Sequence, residues 1–88
     1  MSASVQRASD ATLQAIPRAR GAKMAVLIGE DDGAPNFAKR RFILEDDGRI
    51  PRHYHPDIEH EQFIVSGSMR IGLDDEIEEV EAGDVVFI

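Results

Sequence analysis

The sequence predicts an all-β domain. Short runs rich in Val, Ile and Phe alternate with Gly- and Asp-bearing turns roughly every 8–12 residues, the rhythm of a sandwich or barrel. No segment sustains the 3.6-residue apolar period of a long helix. The only three histidines in the chain, His53, His55 and His60, fall within eight residues, in a stretch that reads as two neighbouring strands.

The 88 residues allow at most one small domain with a modest core. Ten Lys and Arg against 17 Asp and Glu give a net charge of -7. That excess favours solubility and argues against nucleic acid, whose phosphates call for a basic surface. No apolar run approaches the ~20 residues of a membrane span. The polar start MSASVQRASDATLQ is no secretory leader. With no cysteine there is no disulfide framework and no thiolate metal site. The default expectation is a cytoplasmic protein.

Residues 1–20 read as a loosely held arm. Ser9 or Asp10 would cap a short helical turn over ATLQAI, which Pro17 stops. The arm would alternatively pair with a partner subunit. Lys23–Ile28 is a short apolar strand ended by Gly29 and an EDDG turn. Residues 36–45 form a long strand. One phase carries Ala38, Arg40, Phe42 and Leu44, and the other Phe37, Lys39, Arg41 and Ile43. Asp46-Asp47-Gly48 is a turn whose glycine is free to take φ > 0.

Residues 49–55 form the next strand, broken by Pro56 and Asp57, and residues 59–66 the one after. Gly67 turns into Ser68–Leu73, Asp74-Asp75 turns into Glu76–Glu81, and Ala82-Gly83-Asp84 turns into a last strand over 85–88. That last strand is apolar and lacks a polar tail, so the chain is expected to stop inside its fold. Truncation or strand exchange between subunits would account for the open edge this leaves.

The histidines carry the chemistry. An i, i+2 pair on a strand sends both imidazoles to one face. His60, five residues on, returns on the neighbouring strand. Three neutral nitrogens converging from two strands make a divalent transition-metal site. Imidazole suits Mn, Fe, Co, Ni, Cu and Zn, so ligand type leaves the metal open. An all-histidine shell adds no negative charge, which favours an anionic or oxygen-rich ligand at an open position. Imidazole must be neutral to ligate, so the metal is expected to leave as the pH falls below about 6.

Gln62 and Ile64 share the phase of His60 and should line the same cavity, whereas Glu59 and Glu61 alternate away as a solvated pair, or orient an imidazole N–H from outside. Tyr54 and Arg52 face outward by the same alternation. Arg40 lies on an apolar phase; it binds an anionic substrate or pairs with a carboxylate at the rim. Lys39 and Arg41 snorkel outside. The acidic pairs lack the alternating oxygen ligands of a calcium loop and read as turns. With every histidine in one cluster no Ser-His-Asp set is available, and no Gly-rich phosphate loop is present.

In order, Gly48, His53, His55, His60 and Gly67 resemble the first sequence motif of the cupin superfamily. There are two departures. Gly48 stands one residue closer to the histidine pair than usual, and His60 replaces the usual glutamate. HYHPDIEHEQFIVSG, with GAPNF upstream, is similar to the small manganese-binding monocupins that use four histidines. The resemblance spans residues 21–88 as one barrel domain, with the first motif over 48–67 and the start of the second over 83–88.

Gly83 and the five residues after it supply the opening of the second motif. The fourth ligand would then lie roughly six residues beyond Ile88. The resemblance implies a cupin double-stranded β-helix, a jelly-roll barrel incomplete at its C-terminus. The metal it implies is manganese before iron, with zinc, nickel or copper as alternatives.

Function follows as a metal-binding cupin, a metal-dependent oxygenase acting on a small oxygen-bearing or acidic substrate. The alternatives are a non-catalytic module that binds a small ligand or holds the metal structurally, and a metal-assisted isomerase. His53, His55 and His60 would be ligands, with Arg40, Gln62 and Ile64 shaping the pocket. A homodimer is also implied, and open strand edges give it a physical motive.

Overall fold

The computed structural model describes residues 3–51 and 59–88. The chain divides into two units, Met1–Pro51 and Arg52–Ile88. Among the described residues all regular structure is strand apart from two single 3-10 turns, Ala8–Asp10 and Glu30–Asp32. The fold is all-β.

The first unit holds β1 (Gln14–Ala15), β2 (Arg20–Ile28) and β3 (Lys39–Arg49), antiparallel in the order β1-β2-β3. β2 is the central strand. Its buried alanines, Ala22 and Ala25, lie three residues apart and so face opposite sides of the sheet. Small side chains there let both faces be covered.

Two expectations are overturned here. No helical turn forms over ATLQAI; Gln14 and Ala15 pair with Met24 and Lys23 of the same chain. Six residues cannot repay the cost of nucleating a helix, whereas a strand partner offers hydrogen bonds at once. Pro17 does its work in a turn instead. Ala19 N–H donates to Ile16 O (3.1 Å) and Arg18 takes φ 67°, so Ile16–Ala19 is a type II turn with proline at its second position.

Second, Asp46-Asp47-Gly48 does not reverse the chain. β3 runs through it to Arg49 as a large, irregular bulge. Arg20 pairs with Arg49 and Ala22 with Leu44, so Gly21 alone faces Glu45–Gly48. The positive φ belongs to Gly21 (59°), not to Gly48. Gly48 is required for another reason. A Cβ there would stand 2.5 Å from Gly21 O and 2.9 Å from Glu45 O, both backbone atoms.

The connection from β2 to β3 is held locally. Gly29 N–H donates to Asp32 Oδ2 (2.9 Å), and Asp32 N–H returns to Gly29 O (3.0 Å). Asp32→Ala is expected to cost about 1 kcal/mol, the usual worth of such a capping carboxylate. Urea unfolding of the two proteins checks it through the shift in midpoint at constant m.

The described part of the second unit is one long, irregular hairpin. β5 (Ser68–Leu73) pairs with β6 (Glu76–Glu81) around Asp74-Asp75. β4 (Glu61–Phe63) pairs with β7 (Val85–Phe87) outside it. Between the two ladders three residues, Val65–Gly67, oppose two, Ala82 and Gly83. Ala82 N–H to Gly67 O (3.0 Å) and Gly83 N–H to Ile64 O (2.8 Å) bridge this irregularity.

On β6, Val80 is buried while Ile77 is exposed. Residues three apart on a strand cannot share a face, so the EIEEVE run commits only its valine to the covered side. Asp84 fixes the β6–β7 turn. Glu81 N–H donates to its Oδ2 (2.8 Å), and Asp84 N–H donates to Glu81 O (3.0 Å). Among the described residues no helix is long and apolar enough to cross a membrane.

Candidate metal centre

His60 is positioned by backbone bonds rather than by a long strand. Its N–H donates to Ile88 O (3.0 Å), and Ile88 N–H donates to His60 O (2.9 Å). Gln62 pairs with Val86. Ile64 N–H donates to Asp84 O (3.0 Å). The ladder therefore extends beyond β4 and β7, from His60–Ile88 to Ile64–Asp84, with one unbroken register.

Period-two alternation puts His60, Gln62 and Ile64 on one face of this ladder. All three are half-buried, while Glu59, Glu61, Phe63 and Val65 are exposed. Directly paired residues share a face. Val86, only 6% exposed, therefore stands on the histidine's side, next to Gln62. The His60 Nε2 atom is buried from solvent although its residue is not fully enclosed.

The nitrogen is thus held off water, on a strand pinned at both ends, beside an apolar residue and a neutral amide. Among the described residues, the neighbours on that face, Gln62, Ile64 and Val86, are uncharged. An imidazole donor also suits a borderline or transition divalent ion. On both counts His60, the one described member of the predicted set, suits a metal ligand.

The other predicted site residues are distributed differently. His53 and His55, together with Arg52 and Tyr54 between and before them, lie outside the described residues. Among the described residues no three His, Cys, Asp or Glu side chains gather as a metal-binding group. Arg40 belongs to the first unit, is exposed, and faces Val26 across the β2–β3 ladder. Glu59 and Glu61 are on the exposed side, as alternation requires.

Two contributors escaped the sequence reading. Val86 supplies the apolar floor opposite Gln62, and Asp84 anchors the far end of the ladder through Ile64 and Glu81. The alternation in VVFI offered a signal for Val86. Its pairing with Gln62 depends on the three-against-two irregularity at Val65–Gly67, which carries no distinct residue signature. Asp84→Ala is expected to destabilise the chain by about 1–2 kcal/mol, since it removes a charged acceptor from a turn amide. Amide exchange should quicken at Glu81 and Ile64 before it does at Met69.

The family model described as the cupin domain matches residues 40–88. No curated protein matches the sequence.

Proposed function

The chain belongs to the cupin family, and on that premise we propose that it is a metal-binding cupin acting as a metal-dependent oxygenase on a small oxygen-bearing or acidic substrate. The observation that supports this reading is the placement of His60. Its Nε2 is buried on a face shared with Gln62, Ile64 and Val86.

His53, His55 and His60 would hold the metal, manganese first and iron, zinc, nickel or copper after it. When bound, a divalent transition metal supplies Lewis acidity or redox capacity at its open coordination positions. The remaining work is done by this chain's own residues. Gln62 offers an amide that can donate to or accept from an oxygen-bearing substrate. Ile64 and Val86 exclude water from that side, which strengthens every polar contact made there. The backbone bonds to Ile88 fix the strand segment that carries the His60 imidazole. We extend the reading to a cytoplasmic homodimer that takes a small-molecule ligand. Phe63, Val85 and Phe87, exposed on the opposite face of the ladder, suit such an interface.

Elemental analysis after mild purification tests the reading. Near-stoichiometric Mn or another transition metal, with dioxygen uptake on a panel of small hydroxy and keto acids, is the expected result. Metal with saturable acid binding and no oxygen uptake or other turnover would identify a non-catalytic ligand-binding module instead. A chain that takes up no Mn, Fe, Zn, Ni or Cu would overturn the proposal.

A further inference from the structure

In a chain of net charge -7, three arginines line one recess. Arg18, Arg20 and Arg49, all exposed, border with Pro51 an open recess of about 180 Å³ where β2 begins and β3 ends. We propose that this recess binds a small, doubly charged oxyanion of the phosphate class.

Three features of the backbone converge on it. Arg20 and Arg49 are direct partners across the ladder, where like charges repel. The two side chains gain nothing from each other in that pairing. The bulge creates it, since skipping Glu45–Gly48 brings Arg49 level with Arg20. Arg18 sits at the third position of its turn with φ 67°, a place that favours glycine or asparagine. An arginine there brings a third cation into the same recess despite the backbone conformation. Lastly, Arg20 Nη2 donates to Asp47 O at 3.3 Å. That acceptor is a neutral carbonyl, which leaves the guanidinium its charge, and the group carries four further N–H donors.

The shape selects the ligand. Pockets for drug-sized molecules span roughly 300–1,000 Å³, so this smaller recess suits a single anionic group. Planar guanidinium forks match the oxygen pairs of phosphate and hold them bidentately. A dianion also relieves the mutual repulsion of the arginines. The acidic surface elsewhere disfavours nucleic acid or an anionic membrane. Glu45, Asp46 and Asp47 on the bulge are competing charges that lower the affinity for an anion. The site lies wholly within the first unit and does not rest on the metal reading.

The test is calorimetric titration of the full chain with inorganic phosphate and, separately, methyl phosphate, each at constant ionic strength held by sodium chloride. Saturable phosphate binding is expected, weakened about tenfold or more by Arg49→Ala, the scale of one lost charge-assisted hydrogen bond. Arg18→Gly should weaken it similarly while melting no lower than wild type, because glycine suits the left-handed turn position. Arg70→Ala, an equal change of charge on β5, should leave it within twofold. Tighter binding of methyl phosphate than of phosphate would assign the site to phosphate esters; the reverse would assign it to the free ion. No saturable binding of either, or equal weakening by all three variants, would overturn the proposal. So would retention of RNA or anionic vesicles without phosphate binding.

Discussion

Gly48→Ala is expected to lower stability by about 3 kcal/mol, at the upper end of what overpacking costs. The added methyl would meet Gly21 O at 2.5 Å, Glu45 O at 2.9 Å and Glu45 N at 3.1 Å. All three are backbone atoms. None can swing aside as a side chain would, so β2 and β3 must part at the bulge. For a chain of this size the melting temperature should fall by about 12 °C or more. Gly72→Ala provides the contrast. Nothing lies within 4 Å of a Cβ at that position, and its φ is not left-handed. That variant should be neutral, or gain up to about 1 kcal/mol by narrowing the unfolded ensemble. Equal melting of the two variants would mean that the close approach of Gly21 and Gly48 is wrong.

The bulge also marks where sequence reading parts from structure. Asp-Asp-Gly is the composition of a turn, and at Asp74-Asp75 a similar pair does turn the chain. At Asp46–Gly48 the same residues let one strand step past another. Residue type announces an unusual backbone, but the direction the chain leaves it depends on a partner far away in sequence. Strands β5 and β6 were legible to the residue because local turns bound both of them. β1 was not, because a two-residue strand has no pattern of its own and exists only through Met24 and Lys23.

The shared phase of His60, Gln62 and Ile64 was legible for a different reason. When one face of a strand is covered, period two determines the set. The register of His60 against Ile88 was not legible, since it is counted through the irregular step at Val65–Gly67. The family resemblance is carried by the spacing from Gly48 to Gly67, and the family match over residues 40–88 takes in that block and both strands of the ladder. Arg40 illustrates the limit of alternation. Its phase is apolar in sequence, yet Phe42 on the same phase is about half exposed, so sharing a phase with apolar residues did not mean burial.

His60→Ala is expected to abolish metal binding while leaving the fold intact. The two backbone bonds between His60 and Ile88 do not use the imidazole, so the β4–β7 ladder survives the substitution. The side chain lost is half-buried, and its removal opens no large cavity. Loss of a direct ligand should cost more than the ~10–100-fold that outer-shell changes remove from metal affinity. The effect is read through stability. A metal at 100 times its dissociation constant stabilises the native state by about 2.7 kcal/mol, which should raise the wild-type melting temperature by roughly 10–20 °C. In His60→Ala, and equally in His53→Ala and His55→Ala, added Mn should leave the melting temperature unchanged. Gln62→Ala is the control on the same face. It keeps every imidazole, so its Mn-dependent shift should match wild type while any affinity for a small acid falls. A His60→Ala protein that melts normally and still binds Mn stoichiometrically would remove His60 from the site, and with it the reading of the ladder as one wall of a metal centre.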